Sequence, residues 1–156
     1  MPVRVQTEDF DVGRELAALR GADRSVGAVA AFVGTVRDVN ADASVATMTL
    51  EHYPGMTKKA LGAIIDDAKS RWAIADALVI HRVGALRPAD QIVLVGVTSA
   101  HRGEAFAACE FIIDYLKTRA PFWKKEETPD GARWVEARAS DDDAAARWRT
   151  PSGPAE

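Results

Sequence analysis

The segment QIVLVGVTSAHRGEAFAACEFIIDYLKTRAP (91–121) constrains the chain most, because two periodicities meet inside it. QIVLVGVTSA (91–100) is a short apolar run bounded by turn residues, the pattern of a buried strand. From Arg102 to Arg119 the residues Phe106, Cys109, Ile113 and Leu116 form one stripe at helical spacing. Ala120-Pro121 ends that helix, since the residue before proline is pushed out of the helical region. A buried strand feeding a long helix requires a sheet with a helix laid across it.

The remaining segments supply the other parts. DVGRELAALR (11–20) reads as a short helix stopped by Gly21, and GAVAAFVGTVR (27–37) as a mostly buried strand. DVNADAS (38–44) has the composition of a loop. ATMTLEHY (46–53) sets Met48, Leu50 and His52 against Thr47, Thr49 and Glu51, a period-2 strand. After Pro54-Gly55, Thr57 is the expected N-cap of a helix to about Trp72, with Leu61, Ile64, Ile65 and Ala68 facing a sheet. ALVIHRVG (77–84) reads as a strand. PFWKKEE and ARWVEAR read as short extended pieces around the Thr128–Gly131 turn, followed by a helical AAARW. The fold class expected is α+β, a mixed or antiparallel sheet with flanking helices, with residues 1–149 as one domain and 150–156 as a loose tail.

Charge and cysteine content narrow the function. Twenty Lys and Arg against 23 Asp and Glu give a net charge of −3, which disfavours a nucleic-acid binder held by bulk charge. A single Cys excludes an internal disulfide framework and a Cys-rich zinc site. Cys109 falls on the apolar stripe and is expected to be a buried thiol. His52, His81 and His101 lie on separate elements without metal-ligand spacing, so no metal is expected. No apolar N-terminal region or membrane-length apolar run is present, and a cytoplasmic protein is expected.

The candidate chemistry is cationic. His101 and Arg102 stand where the strongest strand becomes a helix, a place where free N–H groups and the macrodipole favour an anion. Cations there are disfavoured by the dipole, so an anion site explains them; the alternative is a pair of exposed first-turn residues. Lys117 and Arg119 in the last turn are accounted for by dipole compensation alone. Lys124 and Lys125 follow beside Phe122 and Trp123, and in a strand only one of the two faces a given cleft. Whether Lys124 is a working group or a rim residue stays open on composition. Arg37 and Arg138 add positive charge if the strand ends converge.

The runs LEHYPGMTKKAL (50–61), HRVGALRPAD (81–90), VGVTSAHRGEAF (95–106), DYLKTRAPFWKKE (114–126) and RWVEAR (133–138) closely resemble the family of large, catalytic subunits of molybdopterin synthase, over roughly residues 27–149. The resemblance implies an α/β hammerhead fold and a homodimer carrying a small ubiquitin-like sulfur-carrier subunit at each end. It implies that the carrier's C-terminal Gly-Gly thiocarboxylate supplies sulfur, converting cyclic pyranopterin monophosphate to molybdopterin in molybdenum cofactor biosynthesis. No resident cofactor is implied. By the same resemblance Lys117 and Lys124 are the catalytic lysines. Thr35, Val36, Arg37, His101, Arg102, Lys125, Glu126 and Arg138 match substrate-binding positions, His101 and Arg102 serving the partner protomer's site. The competing expectation is a non-catalytic module that binds a phosphorylated ligand or a partner's acidic tail.

Overall fold

The computed structural model describes residues 2–40, 43–44, 47–129, 131–135 and 139–149. Arg138 and the tail from 150 onward lie outside them. The larger sheet is built from β1 (Val3–Gln6), β6 (Ile74–Arg82), β8 (Gln91–Ser99) and β2 (Ala28–Thr35), in the order β1-β6-β8-β2. β1 pairs parallel with β6, and the other two pairings are antiparallel. The second sheet has the order β10-β9-β5-β7, from β5 (Thr47–His52), β7 (Gly84–Leu86), β9 (Phe122–Thr128) and β10 (Gly131–Val135), all antiparallel. The α+β expectation, mixed sheet and flanking helices together, is met.

Side-chain alternation divides the larger sheet into two covered faces. Ala77, Val79, Val93, Val95 and Val97 meet α2 (Met56–Arg71) and α3 (Arg102–Arg119) in the main core. On the other face Leu78, Ile80 and Leu94 meet Leu16 and Leu19 of α1 (Val12–Arg20). Gly96 permits that approach, since a Cβ there would lie 2.9 Å from Leu16 and 3.1 Å from Leu19. α1 covers only the middle of its face. Val29 and Val33 of the edge strand β2, which share that face, are left 39% and 36% exposed, and Phe32, on the opposite face, is 38% exposed. A smaller core of Val36, Met48, Leu50 and Leu86 sits under the second sheet.

Several sequence expectations need correction. Thr57 is not the N-cap of α2: Gly55, at a φ of 83° open to glycine, holds that position. Thr57 lies inside the first turn, fully buried, with its hydroxyl donating to the Pro121 carbonyl at 3.4 Å. Within the loop expected at 38–44, β3 (Val39–Asn40) pairs antiparallel with β4 (Ala43–Ser44). Phe106, placed on the buried stripe of α3, is 66% exposed, because that helix buries its Ala105, Ala108, Cys109 and Ile112 side instead. β1 is absent from the sequence expectation, and Gly84, expected to end the strand before it, instead opens a separate strand, β7 (Gly84–Leu86). A helix follows β10 as α4 (Ala139–Ala146), beginning ahead of the AAARW stretch.

Candidate functional site

Antiparallel packing decides which candidates can meet. α3 follows β8 after two residues and packs back across β8 and β2. Its last turn therefore reaches the end of the sheet where β8 begins and β2 finishes. Lys117, exposed in that turn, lies at this end with Thr35, whose register partner is Gln91. Val36 follows, buried in the smaller core, with its N–H donating to the Asp90 carbonyl and its own carbonyl accepting from Ala89. Its side chain is thus committed to packing, and it holds exposed Arg37 and Thr35 on either side.

The second sheet brings Lys124 to the same place. In the β5–β9 register Lys124 pairs with Leu50 and Phe122 with His52, so these four side chains share one face. Lys125 pairs with Thr49 on the opposite face, as alternation requires. Glu126 pairs with Met48 through its backbone. Lys124 and Lys125 are both half-buried. Phe122 stacks on His81 of β6, with ring centroids 3.8 Å apart and planes 17° from parallel, and this stack joins the two sheets.

His81 reports on the charges around it. Its Nδ1–H donates to the Arg82 carbonyl at 2.8 Å, because a carbonyl can only accept. Burial pushes its pKa down to about 3, against the pull of that hydrogen bond, and the positive fields of Lys117, Lys124 and His52 act in the same direction as burial. Two lysines from different elements therefore converge on one buried, uncharged imidazole. His52, whose ring lies 6.4 Å from that of Phe122, buries its Nδ1 with no hydrogen-bond partner among the described residues. Sequence spacing addresses His52 and His81 only as metal ligands. The signal for another role was the place of His52 on the Met48–Leu50 face of its strand.

His101 and Arg102 stand elsewhere. His101 is the N-cap of α3 and makes no side-chain cap, which leaves the helix start open to an anion. Fifteen residues of helix at about 1.5 Å each put Arg102 about 22 Å from Lys117 within one chain. Cys109 is buried as expected, and burial pushes its thiol up to about 11, which leaves it inert. A separate groove of about 500 Å³ lies beside α1, lined by Arg4, Glu15, Lys69 and Asp76 among others. Its charges pair off, Arg4 with Glu15 and Lys69 with Asp76 at 4.0 Å, so it offers no net attraction to an anion.

Comparison with known proteins now decides the family. The model of the family described as "MoaE protein" matches residues 5–119. The molybdopterin synthase catalytic subunit of Ralstonia nicotianae is 66% identical over 146 residues, covering 94% of this chain and 83% of that one. The chain belongs to the MoaE family, the catalytic subunits of molybdopterin synthase. The catalytic subunit of Escherichia coli K12 is 58% identical over 144 residues, 92% of this chain and 95% of the relative. Among solved structures, the MoaE protein of Burkholderia ambifaria matches with a TM-score of 0.80 at 60% identity, covering 94% of this chain and 96% of that one. Molybdopterin synthase from Staphylococcus aureus matches at 0.81 and 29% identity, covering 87% and 98%.

These likenesses bear out the hammerhead-type α+β fold and place the chain among transferases of molybdenum cofactor biosynthesis. The family match begins at residue 5, ahead of the motif region at 27, and stops before Lys124. No helix among the described residues is long and apolar enough to cross a membrane.

Proposed function

We propose that this chain converts cyclic pyranopterin monophosphate to molybdopterin, taking sulfur from the C-terminal thiocarboxylate of a small ubiquitin-like carrier subunit. The observation that carries this reading is the convergence of Lys117 and Lys124 beside His81, in a member of this family whose only thiol is buried. The sulfur nucleophile arrives with the carrier, so the catalytic subunit has only to bind two anions and stabilise charge as it develops. Lys117 acts at the carrier's terminal carbonyl as acid/base and electrostatic stabiliser. Lys124, on a different element, assists proton transfer or holds the intermediate. Thr35, Arg37, Glu126 and Arg138 flank the substrate, Lys125 does so through its backbone because its side chain lies on the opposite face of β9, and Val36 keeps the 35–37 segment in place.

The working unit is a homodimer with a carrier at each end, in the cytoplasm. About 22 Å of helix separates Arg102 from Lys117, so His101 and Arg102 of one protomer complete the site of its partner. The exposed Val29, Phe32 and Val33 on the edge strand β2 offer a surface for the second copy. A solved relative, the complex of subunits 1 and 2 of molybdopterin-converting factor from Helicobacter pylori, shares the fold with a TM-score of 0.73 at 19% identity, covering 88% of this chain and 92% of that one.

The test is reconstitution of purified chain, thiocarboxylated carrier and cyclic pyranopterin monophosphate, assayed for the dithiolene pterin. Wild type should form product, and Lys117→Ala should lose on the order of 10²–10³-fold in rate or more. Lys117 is exposed, so that variant should keep its thermal unfolding midpoint. Near-wild-type turnover in Lys117→Ala would remove Lys117 from the mechanism. No product from wild type, with carrier bound, would favour the binding-module reading.

A further inference from the structure

Backbone strain in a non-glycine residue persists only where the surrounding structure over-determines it. Ala89 is the one described non-glycine residue with a positive φ, at 76°. It sits in the turn of residues 87–90, between β7 of the second sheet and β8 of the larger one. The Asp90 N–H donates to the Arg87 carbonyl at 3.0 Å, closing the turn, and the Arg87 N–H donates to the Asp90 carboxylate at 2.8 Å. Proline at the second position with a positive φ at the third marks the type II form, whose third position favours glycine. Types I and II differ by a half-turn of the central peptide, so the strained form decides where the Ala89 N–H points. That N–H donates to the Val36 carbonyl at 2.8 Å, and the Asp90 carbonyl accepts from the Val36 N–H at 2.9 Å.

These two bonds come where β2 is least secure. Its register with β8 slips between Gly34, opposite Val93, and Thr35, opposite Gln91. Such a slip bends a strand and disrupts its ladder locally. Thr35 and Arg37 are exposed, so packing does not hold them, while Val36 between them is buried with Met48, Leu50 and Leu86. The turn therefore closes on the Val36 backbone and fixes the direction in which its two neighbours leave. Resting on the function proposed above, we propose that Ala89 is a positioning residue of the lysine site. Its left-handed backbone clasps Val36 and thereby sets Arg37 for the anionic phosphate of the substrate. The strain at Ala89 is offset by the bonds to Val36 that only this form of the turn can make.

Two substitutions at Ala89 act in opposite directions on this turn. Glycine adopts the positive φ without strain, whereas valine, branched at Cβ, is driven from it toward the type I form. Binding of cyclic pyranopterin monophosphate is measured by calorimetry without carrier, at a temperature well below unfolding. Carrier binding and thermal unfolding are measured in parallel. Ala89→Gly should keep substrate affinity within about twofold of wild type, with the unfolding midpoint unchanged or raised. Ala89→Val should weaken substrate by about tenfold and leave carrier affinity unchanged. A double-mutant cycle with Arg37→Ala separates positioning from a structural role. Arg37→Ala alone should weaken substrate by about tenfold, and adding Ala89→Val should weaken it by no more than about twofold further. If Ala89→Val does not fold, Asp90→Ala takes its place in the cycle. It removes the acceptor of the Arg87 N–H, and its own loss should be about threefold with the same lack of additivity.

The proposal is overturned if Ala89→Val, or Asp90→Ala in its place, binds substrate as wild type does, even with a lowered unfolding midpoint. It is overturned equally if the two losses multiply in the double variant, because the clasp would then not act through Arg37. A matching loss of carrier affinity, or a loss of substrate affinity in Ala89→Gly, overturns it as well. The calorimetry does not depend on turnover. Wild type that binds substrate and forms no product counts against the proposed reaction, while the cycle still decides Ala89. Product from wild type with multiplying losses removes the clasp and leaves the reaction standing. Wild type that does not bind substrate overturns both.

Discussion

His81 is buried against Phe122 with its Nδ1–H committed to the Arg82 carbonyl, so a second proton has to enter a dry site. The groups facing it are Lys117 from α3, Lys124 from β9 and His52 from β5, all able to carry positive charge, and its pKa is pushed down to about 3. The unfolded chain takes up that proton near pH 6.5, so the native state binds fewer protons throughout the interval. Stability from this residue is fully present above about pH 6.5 and is lost as pH falls from there toward 3. Its slope is at most about 1.4 kcal/mol per pH unit. His81→Phe retains a ring for stacking and removes the titration. Urea unfolding between pH 7 and 4.5 should show a shallower acid slope in the variant, and an unchanged slope would assign the acid sensitivity to other groups. Because His81 stays uncharged near neutrality, it adds no positive charge beside the two lysines and serves as a wall of the site.

At the scale of elements, α3 carries Lys117 and is held from two sides. Trp148 Nε1 donates to Asp114 at 2.6 Å, and Arg147 donates to the same carboxylate at 2.8 Å, one turn before Lys117. Arg71 of α2 donates to the Trp148 carbonyl and lies 4.5 Å from the Phe111 ring centroid, while Trp72 and Phe111 meet Trp148 edge-on at 5.4 and 5.8 Å. Trp148→Ala should therefore cost about 2–3 kcal/mol in urea unfolding, less than a fully buried tryptophan, because the residue is half-exposed. A loss below about 0.5 kcal/mol would mean the clamp contributes no stability. The long elements were legible in the chain because their periodicity is local: α2, α3 and β8 occupy nearly the spans their apolar spacing predicts. β1 was not, since four residues pair with Val79–Arg82, more than seventy positions away, and carry no local pattern. Thr57 misled for a related reason. A hydroxyl before an apolar run looks like a cap, but Gly55 could take the positive φ, and Thr57 was drawn to the Pro121 carbonyl. The lysines were found through resemblance to a family, and their convergence on His81 needed two sheets to meet, which no spacing records.

At the scale of the whole molecule, one geometric fact governs the arrangement. A helix of eighteen residues carries Arg102 at its start and Lys117 in its last turn. Cations about 22 Å apart cannot hold one small phosphorylated substrate from within a single chain. The homodimer proposed above would remove the difficulty, because a twofold axis that brings the start of the partner's α3 to each lysine site creates two equivalent sites at once. The arrangement predicts complementation between inactive variants. Lys117→Ala and Arg102→Ala homodimers should each turn over poorly, every site lacking one member of the pair. When equal amounts are unfolded and refolded together, about half of the dimers are mixed. In each mixed dimer one site joins the intact Lys117 of one protomer to the intact Arg102 of the other, and the second site carries both lesions. Activity should then recover to about a quarter of wild type, the share of intact sites among all sites. If Lys117 and Arg102 acted within one protomer, no reassortment could join them, and the refolded mixture would stay at the level of its parents.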